Sequence, residues 1–469
     1  MVNLDLKTLT ITGASKLLRN REISPVDLIS ATLSRIHSAN PKLNAFTTVT
    51  EDYAMTRAYE AEKCIQSSQY LGPLHGIPYT LKDVIDTRGI KTTYGYRSHQ
   101  DHIPTESATV HSKLEAAGAI LVGKTYSHLR RFISVPCFNP WDLSRSPGVS
   151  SSGSAAALAA SLGLASIGSD TGGSVRLPAA WTGVVGLRGT TGLISRHNAL
   201  GPSWSIDQVG PMARTVEDIA ILLQAIAGYD PLDPITLRDR VPDYHMNLRS
   251  SIKGIKIGIF EELLTDDSEP EVEASVRSAI QVLRTLGAEL TEVRIPKIDD
   301  THKGLGALAG PESYAYYQDV FSSDELSRID DDMKQYLAQA STQTMSDYLW
   351  GQRVMARLKQ DLADIFNDVD LILSPTSLTA PLPVSLSDVE SKITVKGRDV
   401  NAWKYFTRST HIASLAGLPA ISVPCGLIDG YLPVGLQLMG RRLEESLILQ
   451  VAFAYEQAAG WHQYHPEIS

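Results

Sequence analysis

Short apolar runs alternate with helix-like stretches along most of the chain. Each run lies between glycine, proline or polar residues and therefore predicts a β-strand. Strands that alternate with helices are typical of α/β architecture, so we expect one large α/β unit. The predicted strands are AILVG (119–123), KIGIF (256–260), DLILS (370–374), AISVP (420–424) and GLQLM (435–439).

The helical stretches carry start and stop signals. The sequence SPVD (24–27) has a capping serine, a first-turn proline and an acidic third residue, in the order expected at a helix N-terminus. Residues 110–118 predict a helix that ends at Gly118, and residues 216–227 predict another.

The pattern also suggests a division of the chain. We expect an N-terminal helical segment over residues 1–70 and a main domain over residues 71–469. Within the main domain, residues 265–365 are more charged and show few strand signals. This stretch predicts a helical excursion whose charged residues face solvent.

Composition excludes several classes of protein. Among 469 residues, 43 are Lys or Arg and 52 are Asp or Glu, which gives a net charge of −9 and no global basic footprint for nucleic acid or anionic lipid. The three cysteines are far apart and form neither a disulfide framework nor a zinc motif. With no signal-peptide pattern and no apolar run of about 18 residues, we expect a cytoplasmic protein without a transmembrane helix.

One segment is unusually dense in glycine, serine and alanine. The small residues of SGSAAALAAS (152–161) have a structural explanation, since they let a helix approach a sheet closely. That explanation does not cover DTGGS (170–174). A Gly-Gly-Ser turn can point several backbone N–H groups into one space and stabilise an oxyanion. Ser174 is therefore a candidate nucleophile, and Asp170 and Arg176 are expected to brace the turn by a charge-assisted hydrogen bond.

A serine nucleophile needs a base. No histidine falls in a recognisable catalytic motif and no GxSxG elbow occurs, which disfavours a Ser-His-Asp hydrolase. Lysine is the other candidate, because LHGIPYTLKD (74–83) places Lys82 at the end of an apolar, strand-like run. Burial at that point would lower the pKa of Lys82 by desolvating its charged form.

Several long motifs resemble the amidase signature family, and the resemblance runs from about residue 24 to the C-terminus. They are GPLHGIPYTLKD, PGVSSSGSAAA, SIGSDTGGSVRLPAAWTGVVGL, SIDQVGPMARTVED, SLAGLPAISVPCG and PVGLQLMG. The resemblance implies a single α/β/α catalytic domain with a mixed central sheet. It also implies that no cofactor and no metal take part.

The resemblance further implies a Ser–cis-Ser–Lys triad. Ser174 matches the nucleophile, Ser150 matches the bridging serine held by a cis peptide bond, and Lys82 matches the base. In such a relay, neutral Lys82 accepts a proton from Ser150 while Ser150 takes one from Ser174. The implied oxyanion hole is the backbone of Thr171, Gly172, Gly173 and Ser174.

The sequence departs from the family pattern at three places. Val149 and Ser152 replace glycines beside the bridging serine. The segment RRFISVPCFNPWD (130–142) is shorter than in the family, and we expect its loop at 130–138 to open the acyl side of the pocket to bulky or aromatic substrates. The glutaminase subunit of tRNA-dependent amidotransferases has Gln at the position of Leu177.

These observations lead to a functional expectation. We expect a free-standing hydrolase of carbon–nitrogen bonds in linear amides, with carbamates (urethanes) and esters as further substrates. Its expected partners are a small-molecule substrate and a second copy in a homodimer, with no nucleic acid and no membrane. The alternative is the glutaminase component, the A subunit, of a tRNA-dependent amidotransferase complex.

Two other classes are disfavoured. Residues 118–125 match the phosphate-loop pattern GxxxxGK[ST], but a helix precedes Gly118 and the intervening residues suit a buried strand. A non-catalytic binding protein is disfavoured because all three triad positions are present.

Overall fold

A mixed sheet of 11 strands runs through the molecule in this computed structural model, which describes residues 4–127, 136–265, 267–386 and 391–468. The strands are β1 (Phe46–Val49), β2 (Pro78–Lys82), β3 (Ile120–Thr125), β4 (Ala165–Asp170), β5 (Val185–Arg188), β6 (Gln208–Ala213), β7 (Lys256–Phe260), β8 (Glu289–Val293), β9 (Leu371–Pro375), β10 (Lys392–Val395), β11 (Arg398–Asn401), β12 (Ala420–Ile428) and β13 (Leu432–Gly440).

The order across the sheet is β1-β3-β2-β4-β6-β5-β12-β13-β9-β7-β8, and β10 and β11 form a separate hairpin. Strand β2 is parallel to both β3 and β4, and β7 is parallel to β8 and β9. The strands between these two parallel groups are antiparallel to their neighbours. The sheet is therefore mixed, as expected.

The helices lie between the strands along the chain. They are α1 (Ile11–Arg19), α2 (Pro25–Leu43), α3 (Glu51–Gln66), α4 (Thr109–Ala116), α5 (Ser152–Ala159), α6 (Arg176–Thr182), α7 (Val216–Ile226), α8 (Glu261–Thr265), α9 (Pro270–Thr285), α10 (Asp299–Val320), α11 (Ser323–Arg328), α12 (Asp331–Ser341), α13 (Met345–Ile365), α14 (Ala402–Phe406), α15 (Arg408–Ala416) and α16 (Glu445–Ala459). Short 3₁₀ helices lie at Arg97–His99, Val384–Leu386 and Trp461–Gln463.

Both faces of the sheet are buried under helices. Successive side chains of a strand point to opposite faces. In β9, Leu371 and Leu373 pack into one hydrophobic cluster with α7, α9 and α16, whereas Ile372 packs into another with α10, α13 and α15. In β3, Leu121 joins the first cluster and Val122 joins a third with α2, α3 and α5. These three layers confirm the predicted α/β/α architecture.

All five predicted strands are present as β3, β7, β9, β12 and β13. The predicted helices at 110–118 and 216–227 are α4 and α7, and Gly118 follows α4 at a φ of +83°. Helix α2 begins with the predicted capping box, in which Ser24 Oγ accepts from the Asp27 backbone N–H and Asp27 Oδ2 accepts from the Ser24 backbone N–H.

Two strands lie where the sequence indicated helices. Strand β1 is within residues 1–70, and β8 is within residues 265–365, so the helical excursion is confined to α10 through α13. Both strands are at the ends of the sheet order. An edge strand is only partly buried, so the apolar run that identifies a central strand is absent from it.

The phosphate-loop pattern at 118–125 is a coincidence, as expected. Residues 120–125 form the buried strand β3, not a loop that opens a helix. Lys124 Nζ is fully buried and donates to the Ile85 carbonyl and to Thr92 Oγ1, each at 2.6 Å. Across the described residues, no helix has the length and apolar character needed to cross a membrane.

The capping box gives a test of the fold. We expect Ser24→Ala to lower the free energy of unfolding by about 1 kcal/mol, because α2 loses both capping hydrogen bonds. The measurement is the urea midpoint at unchanged slope. Ser38→Ala is the control, since Ser38 is exposed within the same helix and bonds only the Arg35 carbonyl. Equal losses in both variants would contradict the capping contribution.

Candidate active site

The candidate site lies where two parallel strands end. Lys82 is the last residue of β2, and Ser169 and Asp170 are the last residues of β4. The two strands are paired, with Leu81 opposite Ile167, so their carboxyl ends meet. Crevices at the carboxyl ends of parallel strands are where α/β proteins commonly place their sites.

Lys82 is fully buried in this crevice. Its Nζ lies 2.6 Å from Ser150 Oγ and 2.8 Å from Ser169 Oγ. Burial lowers the pKa of Lys82 to about 7, although the charges of Asp207 and Asp170 act in the opposite direction. A lysine with that pKa is substantially neutral near pH 7 and can accept a proton.

Ser150 lies in the turn that leads into α5. Gly148 precedes it with a φ of +130°, and a Cβ at Gly148 would lie 2.5 Å from the Pro178 Cα, so this turn requires glycine. On the other side, Ser151 Oγ donates to the Ser169 carbonyl at 3.2 Å. These contacts hold the turn over the end of β4 and bring Ser150 to Lys82.

The implied cis peptide bond at Ser150 is not found. Every peptide bond in the described residues is trans. For a residue other than proline, the trans form is lower in free energy by about 3 kcal/mol. Ser150 Oγ makes its short contact with Lys82 in the trans form.

Ser174 lies in the turn between β4 and α6. Gly173 has a φ of +118°, and a Cβ there would lie 2.4 Å from Thr410 Oγ1, so both the backbone conformation and the close approach require glycine. Ser174 and Ser150 line the same cavity. Ser174 Oγ makes no hydrogen bond to any residue within the described ranges.

The four amides of the predicted oxyanion hole are not equivalent. The Gly173 N–H donates to Asp170 Oδ1 at 3.0 Å, so it is already paired. The N–H groups of Thr171, Gly172 and Ser174 have no acceptor in the part of the chain that the structure describes. The prediction is therefore narrowed to these three donors, and Gly173 serves the turn itself.

A buried ion cluster supports the turn from behind. Arg176 Nη2 and Arg188 Nη1 lie 2.9 and 3.1 Å from Asp170 Oδ1, and all three side chains are fully buried. Burial alone would raise the pKa of Asp170, but the two guanidinium groups hold it well below its usual range. Asp170 therefore remains charged and keeps its bond to the Gly173 amide.

Sequence reasoning missed part of the site. Ser169, the second partner of Lys82, follows from the motif only if one notes that it ends the strand beside that of Lys82. Ser154 had seemed the closer neighbour of the lysine, but its Oγ pairs with Thr125 Oγ1 at 2.8 Å. Asp207 accepts from Thr171 Oγ1 at 2.5 Å, and no motif pointed to it.

The cavity that Ser150 and Ser174 line has a volume of about 380 Å³. Its lining is mainly small, apolar or aromatic, and among the described residues it contains one charged side chain, Lys404. His302 and His411 also line it. In the described ranges there is no cluster of three or more His, Cys, Asp or Glu side chains that could hold a metal ion.

The departures from the family pattern are partly visible. Val149 lines the cavity beside Ser150, and Ser152 is buried at the start of α5. Most of the shortened loop at 130–138 lies outside the described residues, so its effect on the entrance stays a prediction. Cys137, at the end of that segment, is buried.

The sequence model of the amidase family matches residues 27–449. The chain belongs to the amidase family. The A subunit of glutamyl-tRNA(Gln) amidotransferase from Synechococcus sp. (strain JA-2-3B'a(2-13)) is 38% identical over 96% of this chain and 92% of its own.

Solved structures agree with this family. The A subunit of the same amidotransferase from Thermotoga maritima has a TM-score of 0.84 and 31% identity over 100% of both chains. A bacterial aryl acylamidase of the amidase signature family has a TM-score of 0.88 and 26% identity over 97% of both chains. This amidase is therefore a hydrolase of carbon–nitrogen bonds in amides, as expected.

These relatives correct the expectation about partners. We expected only a small-molecule substrate, at most a homodimer and no nucleic acid. The matched relatives are each named as one subunit of an enzyme of glutamyl-tRNA(Gln). The net charge of −9 misled because it describes the whole chain, whereas a subunit meets its partners through local surfaces.

The pKa of Lys82 predicts a pH dependence. Only neutral Lys82 accepts a proton, so kcat/KM of this amidase should rise as the pH increases through about 7. The measurement is the pH profile of kcat/KM for an amide substrate. A rate that is flat between about pH 6 and 8 would contradict a titrating base of this pKa.

The contact of Ser169 with Lys82 predicts a second effect. We expect Ser169→Ala to lower kcat/KM about tenfold, because a hydrogen bond to an amine or ammonium contributes about 1.5 kcal/mol. Ser154→Ala is the matched control, and its effect should be less than about threefold because its hydroxyl bonds Thr125 and not Lys82. Steady-state kinetics of both variants decide, and the reverse order would assign the lysine to Ser154.

Proposed function

We propose that this amidase cleaves the C–N bond of an amide through an acyl-enzyme on Ser174. The observation that carries the proposal is the buried contact of Lys82 Nζ with Ser150 Oγ, at 2.6 Å, in the cavity that Ser174 lines. A lysine that is partly neutral, a bridging hydroxyl and a free hydroxyl at a turn with unpaired amides are the parts that this chemistry needs.

The proton follows the contacts. Neutral Lys82 accepts a proton from Ser150 while Ser150 takes one from Ser174, and Ser174 Oγ attacks the amide carbon. The free amides of Thr171, Gly172 and Ser174 stabilise the resulting oxyanion. The proton returns through Ser150 to the leaving nitrogen, the C–N bond breaks, and water then releases the acid from Ser174.

We further propose that the chain is the amide-hydrolysing component of an amidotransferase that acts on a charged tRNA. In that role it releases ammonia from the side-chain amide of glutamine, and a partner protein uses the ammonia. Support comes from relatives named as the A subunit of such an enzyme, which are 37–38% identical over nearly the whole chain. All three cysteines are free thiols, which suits work in the reducing cytoplasm.

The cavity itself favours a second candidate at the same nucleophile. Free glutamine carries both an ammonium and a carboxylate, yet the described lining offers no carboxylate for the ammonium and only Lys404 for the carboxylate. Leu177 and Trp403 add apolar surface. An amide with an uncharged, apolar acyl or aryl group fits this lining. Cleavage of urethanes and esters stays a prediction that the relatives do not support.

One experiment separates the two candidates. Ammonia release from glutamine and aniline release from p-nitroacetanilide are measured with the wild-type chain, with and without the other purified subunits of an amidotransferase. Glutamine turnover that depends on these partners supports the subunit role. Efficient cleavage of the anilide by the chain alone supports the second candidate.

The matched variants test the nucleophile. Ser174→Ala should abolish both activities, because no other described hydroxyl lies at the amide-bearing turn beside Ser150. Ser313→Ala, a buried serine in the same cavity, should retain activity within about threefold. Full activity of Ser174→Ala would refute the proposed chemistry.

A further inference from the structure

Two histidines from different helices meet at the wall of the cavity. His302 is in the first turn of α10 and His411 is in α15, 109 positions later. Their Nδ1 atoms are 3.2 Å apart, and the rings are stacked at a centroid distance of 5.0 Å and an interplanar angle of 21°. Both rings line the cavity that contains Ser174.

His411 lies directly against the oxyanion turn. A Cβ at Gly172 would be 2.7 Å from His411 Nε2, so the absence of a side chain at Gly172 makes room for the imidazole. The preceding residue, Thr410, fixes this approach. Thr410 Oγ1 donates to the Gly172 carbonyl at 2.7 Å, and the Thr410 carbonyl accepts from Arg176 Nη1 at 3.0 Å.

The pair is neutral near pH 7. Burial lowers the pKa of His302 to about 4, with a smaller effect from Lys404. Burial also lowers the pKa of His411 well below its usual value, and the charges of His302 and Arg176 act in the same direction while Asp170 opposes them. A contact between two neutral Nδ1 atoms requires one N–H and one lone pair.

The two tautomer arrangements have different consequences. If the His302 Nδ1–H donates, His411 carries its proton on Nε2, the atom beside Gly172. If the His411 Nδ1–H donates, His411 Nε2 is an acceptor. His411 Nε2 has no hydrogen-bond partner among the described residues, so it is available to a substrate in the cavity.

We propose that His411 is a further catalytic residue whose Nε2–H donates to the developing oxyanion, and that His302 is a positioning residue that sets this tautomer. The inference rests on the proposed attack by Ser174. It accounts for the pairing of the Gly173 amide with Asp170, because the imidazole adds a donor beside the three free amides. A neutral imidazole can serve as such a donor, since it gains a hydrogen bond as negative charge develops.

The kinetic test uses variants of both histidines with the amide that the wild-type enzyme turns over. His411→Phe should lower kcat by about 10²-fold, as loss of an oxyanion donor does, with KM changed by less than about threefold. His411→Gln should recover at least about tenfold, because its amide N–H can take the place of Nε2–H. His302→Phe should lower kcat, whereas His302→Asn, which keeps a donor near the Nδ1 position, should not.

Two outcomes overturn the proposal. One is an unchanged kcat in His411→Phe. The other is a rise in KM without a fall in kcat, which would assign His411 to ground-state binding only. Ser174→Ala measured alongside separates the levels, since an active Ser174→Ala refutes the proposed function, whereas an inactive Ser174→Ala with an unaffected His411→Phe refutes only this inference.

A spectroscopic readout does not depend on turnover. In protein labelled with ¹⁵N-histidine, the His411 signals are identified by their loss in His411→Phe. At pH 7.5 the ring should be neutral and protonated on Nε2, and His302→Phe should shift the tautomer balance. A ring protonated on Nδ1, or on both nitrogens, would contradict the proposed donor.

Discussion

The site depends on burying one amine without an ion-pair partner. Lys82 Nζ is fully enclosed at the end of β2, and its two nearest polar partners are the hydroxyls of Ser150 and Ser169. None of the ion pairs in the described residues includes Lys82, while Lys124, one strand away, lies 3.7 Å from Asp83. Desolvation penalises the charged form, and hydroxyls compensate it less than a carboxylate would. The sheet thus converts an ordinary cation into a base that can act near neutral pH.

The rest of the site keeps compensating charges close but out of contact with that amine. Asp170 is held by Arg176 and Arg188 behind the oxyanion turn, and it binds the Gly173 amide rather than Lys82. This cluster fixes the turn that carries Ser174 and leaves three amides open. The same side chains therefore set the geometry of the nucleophile and prevent a carboxylate from neutralising the base.

Much of this could be predicted from the sequence, because the informative features are local. The central strands and the capping box at Ser24 are continuous patterns, and the motifs around Lys82, Ser150 and Ser174 are contiguous. The edge strands β1 and β8 could not be found, since partial exposure removes their apolar signal. Contacts between distant segments were equally invisible. The stacking of His302 on His411 depends on how α10 and α15 cross, and Asp207 reaches Thr171 only through the pairing of β4 with β6.

The central claim is that Lys82 is neutral in the folded protein near pH 7, and its own titration tests it most directly. In protein with ¹³C- and ¹⁵N-labelled lysine, the signal of Lys82 is identified by its absence from Lys82→Arg. The account predicts a titration midpoint near pH 7, far below the usual value for lysine. A Lys82 that stays protonated beyond about pH 9 would contradict the account and make this residue a structural cation.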